Sequence, residues 1–443
     1  MLRYAAVIFV LVLLAPGYPL AQEGALLSAN QTDALRAPRA QPDDAIPPGT
    51  SITLQNWQNF KQFMPDGMVA LFEGKYFWKM PADVSMEVGP TVNYPLPKNY
   101  VEATEKYASQ VKIVELSDGG LTLTGYQGGI PFPNPAEPHK GWKVLANLWY
   151  RYMPRLVADT DGYTCGMNTM GGANCISYEF VLRQFAFNTD PGTPPSIANS
   201  DIFFTNWFML LEPEQQKYTT TLTIEYADPA RTEDSYVFVP ALRRYQALSS
   251  SARCSETPGT DANHDDYQFG FDSNITQLKV DYVAKRKFLT LAEINLQREN
   301  FPAGFDLPLG WPQASMGKWQ VRDVDEISVS TLPSGGGASC YGKRVLYVDS
   351  QFYTPLWVEN FDKQMKPQRL HAIFPHTVDA PGIGPINANG SDVEMFWDVA
   401  QNHATFTVEP TADGKHYINE QAPKEYDDVS RYSTPSGLNL IMR

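Results

Sequence analysis

Positive charge is scarce in this chain. Its 443 residues carry 35 Lys and Arg against 49 Asp and Glu, a formal net charge of −14. A phosphate backbone is held by clustered Lys and Arg, and the only clusters are Arg243-Arg244 and Lys285-Arg286-Lys287. Nucleic acid is excluded as the main partner. Histidine is scarcer still, at six. His371 and His376 come nearest to ligand spacing, but Pro375 between them breaks any helical face they would share. No metal or cofactor is expected. No Gly-x-Ser-x-Gly occurs, so a hydrolase nucleophile lacks its usual turn. The glycine-rich stretch Gly125–Pro133 has no following Lys-Ser/Thr and reads as a tight turn, not a phosphate cradle.

What is present begins with the N-terminus. Met1-Leu2-Arg3 is followed by an uninterrupted apolar run from Ala5 to Ala15, then by Pro16, Gly17 and Pro19 before Leu20-Ala21-Gln22. That order is a secretory signal, with cleavage expected after Ala21. The run is shorter than the roughly 20 residues of a membrane span. The mature protein is expected to be soluble and exported. Residues 22–50 lack an apolar period and end in Pro-Pro-Gly-Thr, a flexible leader; one folded domain is expected over 51–443. Export turns Cys165, Cys175, Cys254 and Cys340 into disulfide candidates. Of the three possible pairings, 165–175 with 254–340 is favoured, because short-range closure costs least chain entropy.

Periodicity predicts helices over Thr53–Met64 (ended by Pro65), Asn99–Gln110 and Gly141–Tyr152. Leu121–Gly125 alternates as a strand. From about residue 175 the period changes to two: Ile176–Leu182, Asp201–Phe208, Thr219–Tyr226, Tyr236–Leu242, Arg344–Val348, Pro355–Phe361, Val393–Val399 and Ala404–Val408 read as strands. Short polar connections join antiparallel neighbours. The fold class is therefore α+β, a large, mostly antiparallel sheet with helices from the N-terminal third packed on it.

Several segments together resemble one bacterial family. They are Gly125–Pro133, the helix carrying Leu148-Trp149-Tyr150-Arg151-Tyr152, Tyr236–Arg244 with Leu248-Ser249-Ser250-Ser251, His264-Asp265-Asp266-Tyr267, and Arg344–Asp349 opening a hairpin. The family is exported, outer-membrane lipoprotein-sorting-like, and similar from about residue 51 to the end. The resemblance implies a curved half-barrel related to periplasmic lipoprotein carriers, a periplasmic location, and a hydrophobic ligand. It further implies an RND-type transporter and an outer-membrane protein as partners. It brings no catalytic residues.

The residues that could carry function are few. Phe203, Phe204, Trp207 and Phe208 make one strand apolar on both faces, so either Phe203 with Trp207 or Phe204 with Phe208 could line a cavity in a curved sheet. Arg243 and Arg244 end a predicted strand, and one of them could meet a headgroup or pair with Asp265 or Asp266. The Asp265-Asp266 pair could divide acid and base roles, although adjacent residues rarely converge on one substrate atom and turn-forming Asp is common. The leading expectation is a non-enzymatic carrier or adaptor for a lipid-like molecule. A hydrolase built on Asp265/Asp266 and a structural subunit of an envelope complex are its rivals.

Overall fold

In the computed structural model, residues 46–294, 304–333, 339–387, 393–408 and 416–441 are described. The expected secretory segment and most of the expected leader lie outside them.

Two-residue periodicity dominates the chain because one large sheet does. Its fourteen strands are β1 (Leu156–Asn168), β2 (Ala173–Gln184), β3 (Ile202–Glu212), β4 (Thr220–Tyr226), β5 (Asp234–Val239), β6 (Arg244–Ala247), β7 (Leu278–Ala292), β8 (Lys318–Thr331), β9 (Lys343–Asp349), β10 (Pro355–Phe361), β11 (Pro367–Phe374), β12 (Val393–Asp398), β13 (His403–Val408) and β14 (His416–Ile418). They run β6-β5-β4-β3-β2-β1-β13-β12-β11-β10-β9-β8-β7, with β14 added on β1. Every neighbouring pair is antiparallel, as the short connections required. The path ends at β6 and β7, so the sheet is not closed.

The helices come from the N-terminal third. They are α1 (Asp66–Phe72), α2 (Lys98–Tyr107) and α3 (Lys140–Trp149), and α3 lies on β7 and β8. Gly141 makes that approach possible: a Cβ there would stand 2.7 Å from the Tyr282 amide nitrogen. Two helical expectations shift. The Thr53–Met64 segment is a short strand, Ser51–Thr53, followed by a 3-10 turn, Trp57–Phe63. Pro65 does not end a helix but precedes one, since a proline at a helix start forfeits only a hydrogen bond that would be missing anyway. Gly141–Tyr152 begins one residue earlier, at Lys140, and ends at Trp149. Leu121–Thr124 pairs with Lys112–Glu115 as a separate hairpin.

The core divides by sheet face. A large cluster joins α1, α2 and α3 to β7–β12 through Trp142, Leu145, Leu289, Val324, Trp357 and Trp397. A second lies against β1–β5, where Leu156, Val181, Trp207, Leu222 and Ile224 are covered by Tyr426, Tyr432 and Leu438 from the C-terminal segment. Among the described residues no helix is long and apolar enough to cross a membrane.

Candidate functional site

Alternation along β1–β4 sends one set of side chains under the C-terminal segment and the other to the opposite face. On β4, Leu222 and Ile224 join the C-terminal cluster, while Thr221 and Thr223 point the other way. On β3, Thr205 Oγ1 bonds Ser433 and Trp207 stacks edge-on against Tyr432 at 4.9 Å, whereas Asn206 and Phe208 turn to the opposite face. That opposite face is concave. With the ends of β12 and β13 it forms the floor of a cavity of about 180 Å³, walled by Tyr178, Phe180, Leu182, Phe208 and Phe396. Threonine hydroxyls at 164, 221, 223, 405 and 407 supply much of the remaining floor.

The roof is the segment between β6 and β7. Thr257, Thr260, Ala262, Asp266, Tyr267 and Gln268 face the cavity from it. The Cys254–Cys340 disulfide ties the start of this segment to the approach of β9, across a sequence separation of 86. The Asn263 side chain caps a 3-10 turn, His264–Asp266. Arg344 then donates from Nη1 to the Asp265 carbonyl at 2.7 Å, and the Asp261 amide donates to Thr405 Oγ1 at 2.8 Å.

The two aspartates singled out from sequence are the clamps of this roof. Asp265 is fully buried and accepts from Ser339 Oγ at 3.0 Å, from the Cys340 amide at 2.7 Å and from Arg253 Nη2 at 2.9 Å. Asp266 accepts from Tyr341 O–H at 2.6 Å, Asn360 Nδ2 at 3.2 Å and the Asn263 amide at 3.1 Å. Carboxylates committed to three donors each are held as acceptors. Asp266 nevertheless forms part of the cavity lining.

Phe208 is the one member of the aromatic strand at the cavity, packed 4.7 Å from Tyr178. The register of β3 against β4 slips at Phe203, so Phe203 and Phe204 both turn into the core around Trp149, at 6.3 and 6.0 Å. A bulge breaks the strict alternation on which the choice of faces rested. Arg243 and Arg244 are exposed at the outer edge of the sheet, two strands beyond β4. They pair with neither aspartate among the described residues; Arg253, Arg344 and Arg369 stand there instead. The expected disulfides are both formed, and Cys165 faces Cys175 across the β1–β2 ladder.

Among the described residues, two groups of side chains have the donors for a cation. Glu256, Asp261 and Asp398 lie together, but Arg369 bonds Glu256 and Asp398 while His403 bonds Asp261. Glu225, His264 and Asp272 are buried, with one donor atom each within 4.8 Å of one another. Burial holds both carboxyls well above the ordinary carboxylate range and pushes the imidazole down to about 4. His371 and His376 do not converge. His371 Nε2 meets Glu394 at 2.9 Å and its ring stacks on Phe396 at 3.7 Å.

Solved structures match this one at low identity. A lipoprotein-sorting protein domain from Vibrio parahaemolyticus is 13% identical, covers 69% of this chain and 99% of its own, and has a TM-score of 0.45. A DUF1329 family protein from Desulfovibrio piger is 10% identical over 67% of this chain and 98% of its own, with a TM-score of 0.46. A LolA superfamily protein from Nitrosomonas europaea is 8% identical over 62% and 90%, with a TM-score of 0.35. No curated protein matches the chain in sequence. The segments at 125–133, 236–244 and 344–349 pointed to an exported, uncharacterised family, and residues 51–438 match one described as protein of unknown function (DUF1329), to which the chain belongs.

Proposed function

We propose that the protein is an exported, periplasmic carrier that shields an apolar group from water, by burial and not by covalent chemistry. The observation that carries this reading is the cavity itself: an aromatic and aliphatic floor on a sheet face, under a roof tied by a disulfide and two buried aspartates. Apolar hollows with a few placed polar groups are the usual form of a small-molecule site. At about 180 Å³ it is comparable to engineered cavities of ~150 Å³ that admit benzene. A ring or a stretch of acyl chain fits it; a whole diacyl lipid does not. Of the residues proposed from sequence, Phe208 and Asp266 are retained in the binding role. The RND-type transporter and outer-membrane protein remain the partners that the family resemblance suggests.

The hydrolase alternative would need a reachable acid and base. Asp265 and Asp266 are instead saturated by structural donors. The carrier reading is tested by mass spectrometry of an organic extract of protein purified from the periplasm. The expected result is one class of apolar molecule at near-stoichiometric amount. In parallel, Phe208→Ala should weaken binding of an apolar fluorescent probe about tenfold while shifting Tm by only a few degrees, because the side chain is half-exposed. An empty extract together with unchanged probe affinity would end the proposal.

A further inference from the structure

The carrier reading leaves open which apolar molecules the cavity takes, and the charges on its wall bear on that. Among the described residues, no Lys, Arg or His lines it. Its ionisable groups are Asp266, Glu394, Tyr178 and Tyr267, beside seven threonines and two side-chain amides. The nearby cations are already engaged. Arg344 and Arg369 stand behind Asp266, at 3.5 and 3.8 Å from its carboxylate, and Arg369 also bonds Asp398 at 3.0 Å. The His371 ring is completely buried behind Glu394, its Nε2 2.9 Å from that carboxylate.

An anionic headgroup entering this cavity would leave water and find two carboxylates in the lining and no cation free to pair with it there. Desolvating an unpaired charge is strongly unfavourable, and a like charge within a few ångströms adds to the cost. A hydroxyl or carbonyl faces no such penalty. Thr221 projects to the cavity from β4 and Asn206 from β3, and the Asn206 Oδ1 atom is buried without a hydrogen-bond partner among the described residues. That atom is an acceptor for which the described residues supply no donor. Several threonine hydroxyls already have partners: Thr164 with Thr407, Thr405 with Asp261, and Thr257 with Tyr267. These fix the polar part of the wall, so that it presents oriented hydroxyls and methyls.

From this distribution, and resting on the carrier reading, we infer that the ligand is an uncharged amphiphile: a hydrocarbon body bearing a hydroxyl, with no phosphate or carboxylate inside the cavity. The hydrocarbon packs on Tyr178, Phe180, Phe208 and Phe396, and the hydroxyl donates to Asn206. Phospholipids and free fatty acids are selected against by the missing counter-charge.

Two fluorescent probes of one chain length test this, a labelled fatty alcohol and the matching fatty acid, titrated into the intact mature protein at pH 8. The acid is ionised there. The alcohol is expected to bind at least tenfold more tightly. Thr221→Lys, at a half-exposed position, places an ammonium in the wall and should narrow or reverse that ratio, with circular dichroism confirming the fold. Equal affinities, or a tighter acid, would overturn the inference and leave the carrier reading standing. Binding of neither probe would overturn the carrier reading and this inference together.

Discussion

Trp207 shows how a single residue can be legible in kind and not in place. Its size announced burial, and it is 2% exposed. It lies on the face of β3 away from the cavity, edge-on to Tyr432. Trp207→Ala should therefore cost about 3–5 kcal/mol, the usual price of truncating a large aromatic in a packed core. Probe affinity should match that of the parent under conditions where both are folded. A variant with parental Tm and weakened probe binding would put Trp207 in the wrong place. His376 carries a second prediction. Burial holds its imidazole down at about 3, below its ordinary 6.5, so the folded protein keeps it neutral where the unfolded chain would protonate. Its contribution is fully present above pH 6.5 and is lost as pH falls from there towards 3, at about 1.4 kcal/mol per pH unit. Urea midpoints between pH 7 and 4 should fall less steeply for His376→Phe than for the parent. Parallel slopes would remove His376 from the acid response. The Asp265-Asp266 pair was visible in the sequence as two adjacent carboxylates; its role was not, because four of its donors come from Ser339, Cys340, Tyr341 and Asn360, 74 or more residues away.

Elements were legible where short runs rich in β-branched and aromatic residues lie between clear turns. β3, β4, β9 and β10 are of this kind, and they stand close to their expected bounds. β1, β7, β8 and β11 escaped that reading. β7 mixes Lys279, Asp281, Lys285 and Lys287 into its pattern, because it is an edge strand whose outward side chains are solvated. The Cys165–Cys175 stretch is a hairpin, with glycines at its turn. The two disulfides should differ accordingly. Cys165 and Cys175 close 10 residues that the β1–β2 ladder already holds together, whereas Cys254–Cys340 closes 86 and tethers the cavity roof. By loop-closure entropy the longer one contributes about 2 kcal/mol more. A Cys254→Ser/Cys340→Ser double variant should lose more Tm than Cys165→Ser/Cys175→Ser. It should also show faster amide exchange across residues 257–268. Equal losses with unchanged exchange in the roof would mean that the aspartate clamps suffice without the bridge.

An open sheet of this size has two edges, and an edge strand is a template for pairing with another chain. The only basic clusters of an otherwise acidic chain sit there. Arg243-Arg244 opens β6, which is four residues long, and Lys285-Arg286-Lys287 lies on β7. Within the second cluster, Arg286 pairs with Glu326 at 2.9 Å and Lys287 with Asp323 at 2.8 Å on β8, while Lys285 stays exposed. The register of β7 also slips beside Val283, a bulge that spoils the edge for a flat partner. Charge, brevity and a bulge are the devices by which sheet edges avoid one another. Basic clusters at both edges would repel a second copy's edge, an arrangement that composition alone could not reveal because it depends on which strands are outermost. Arg244→Val/Lys285→Val should leave stability within about 0.5 kcal/mol, as expected for exposed positions. Light scattering at rising protein concentration should then show association that the parent lacks, and restoring Lys285 alone should reverse part of it. A double variant that stays monomeric over the same range would show that the bulge and the shortness of β6 protect the edges by themselves.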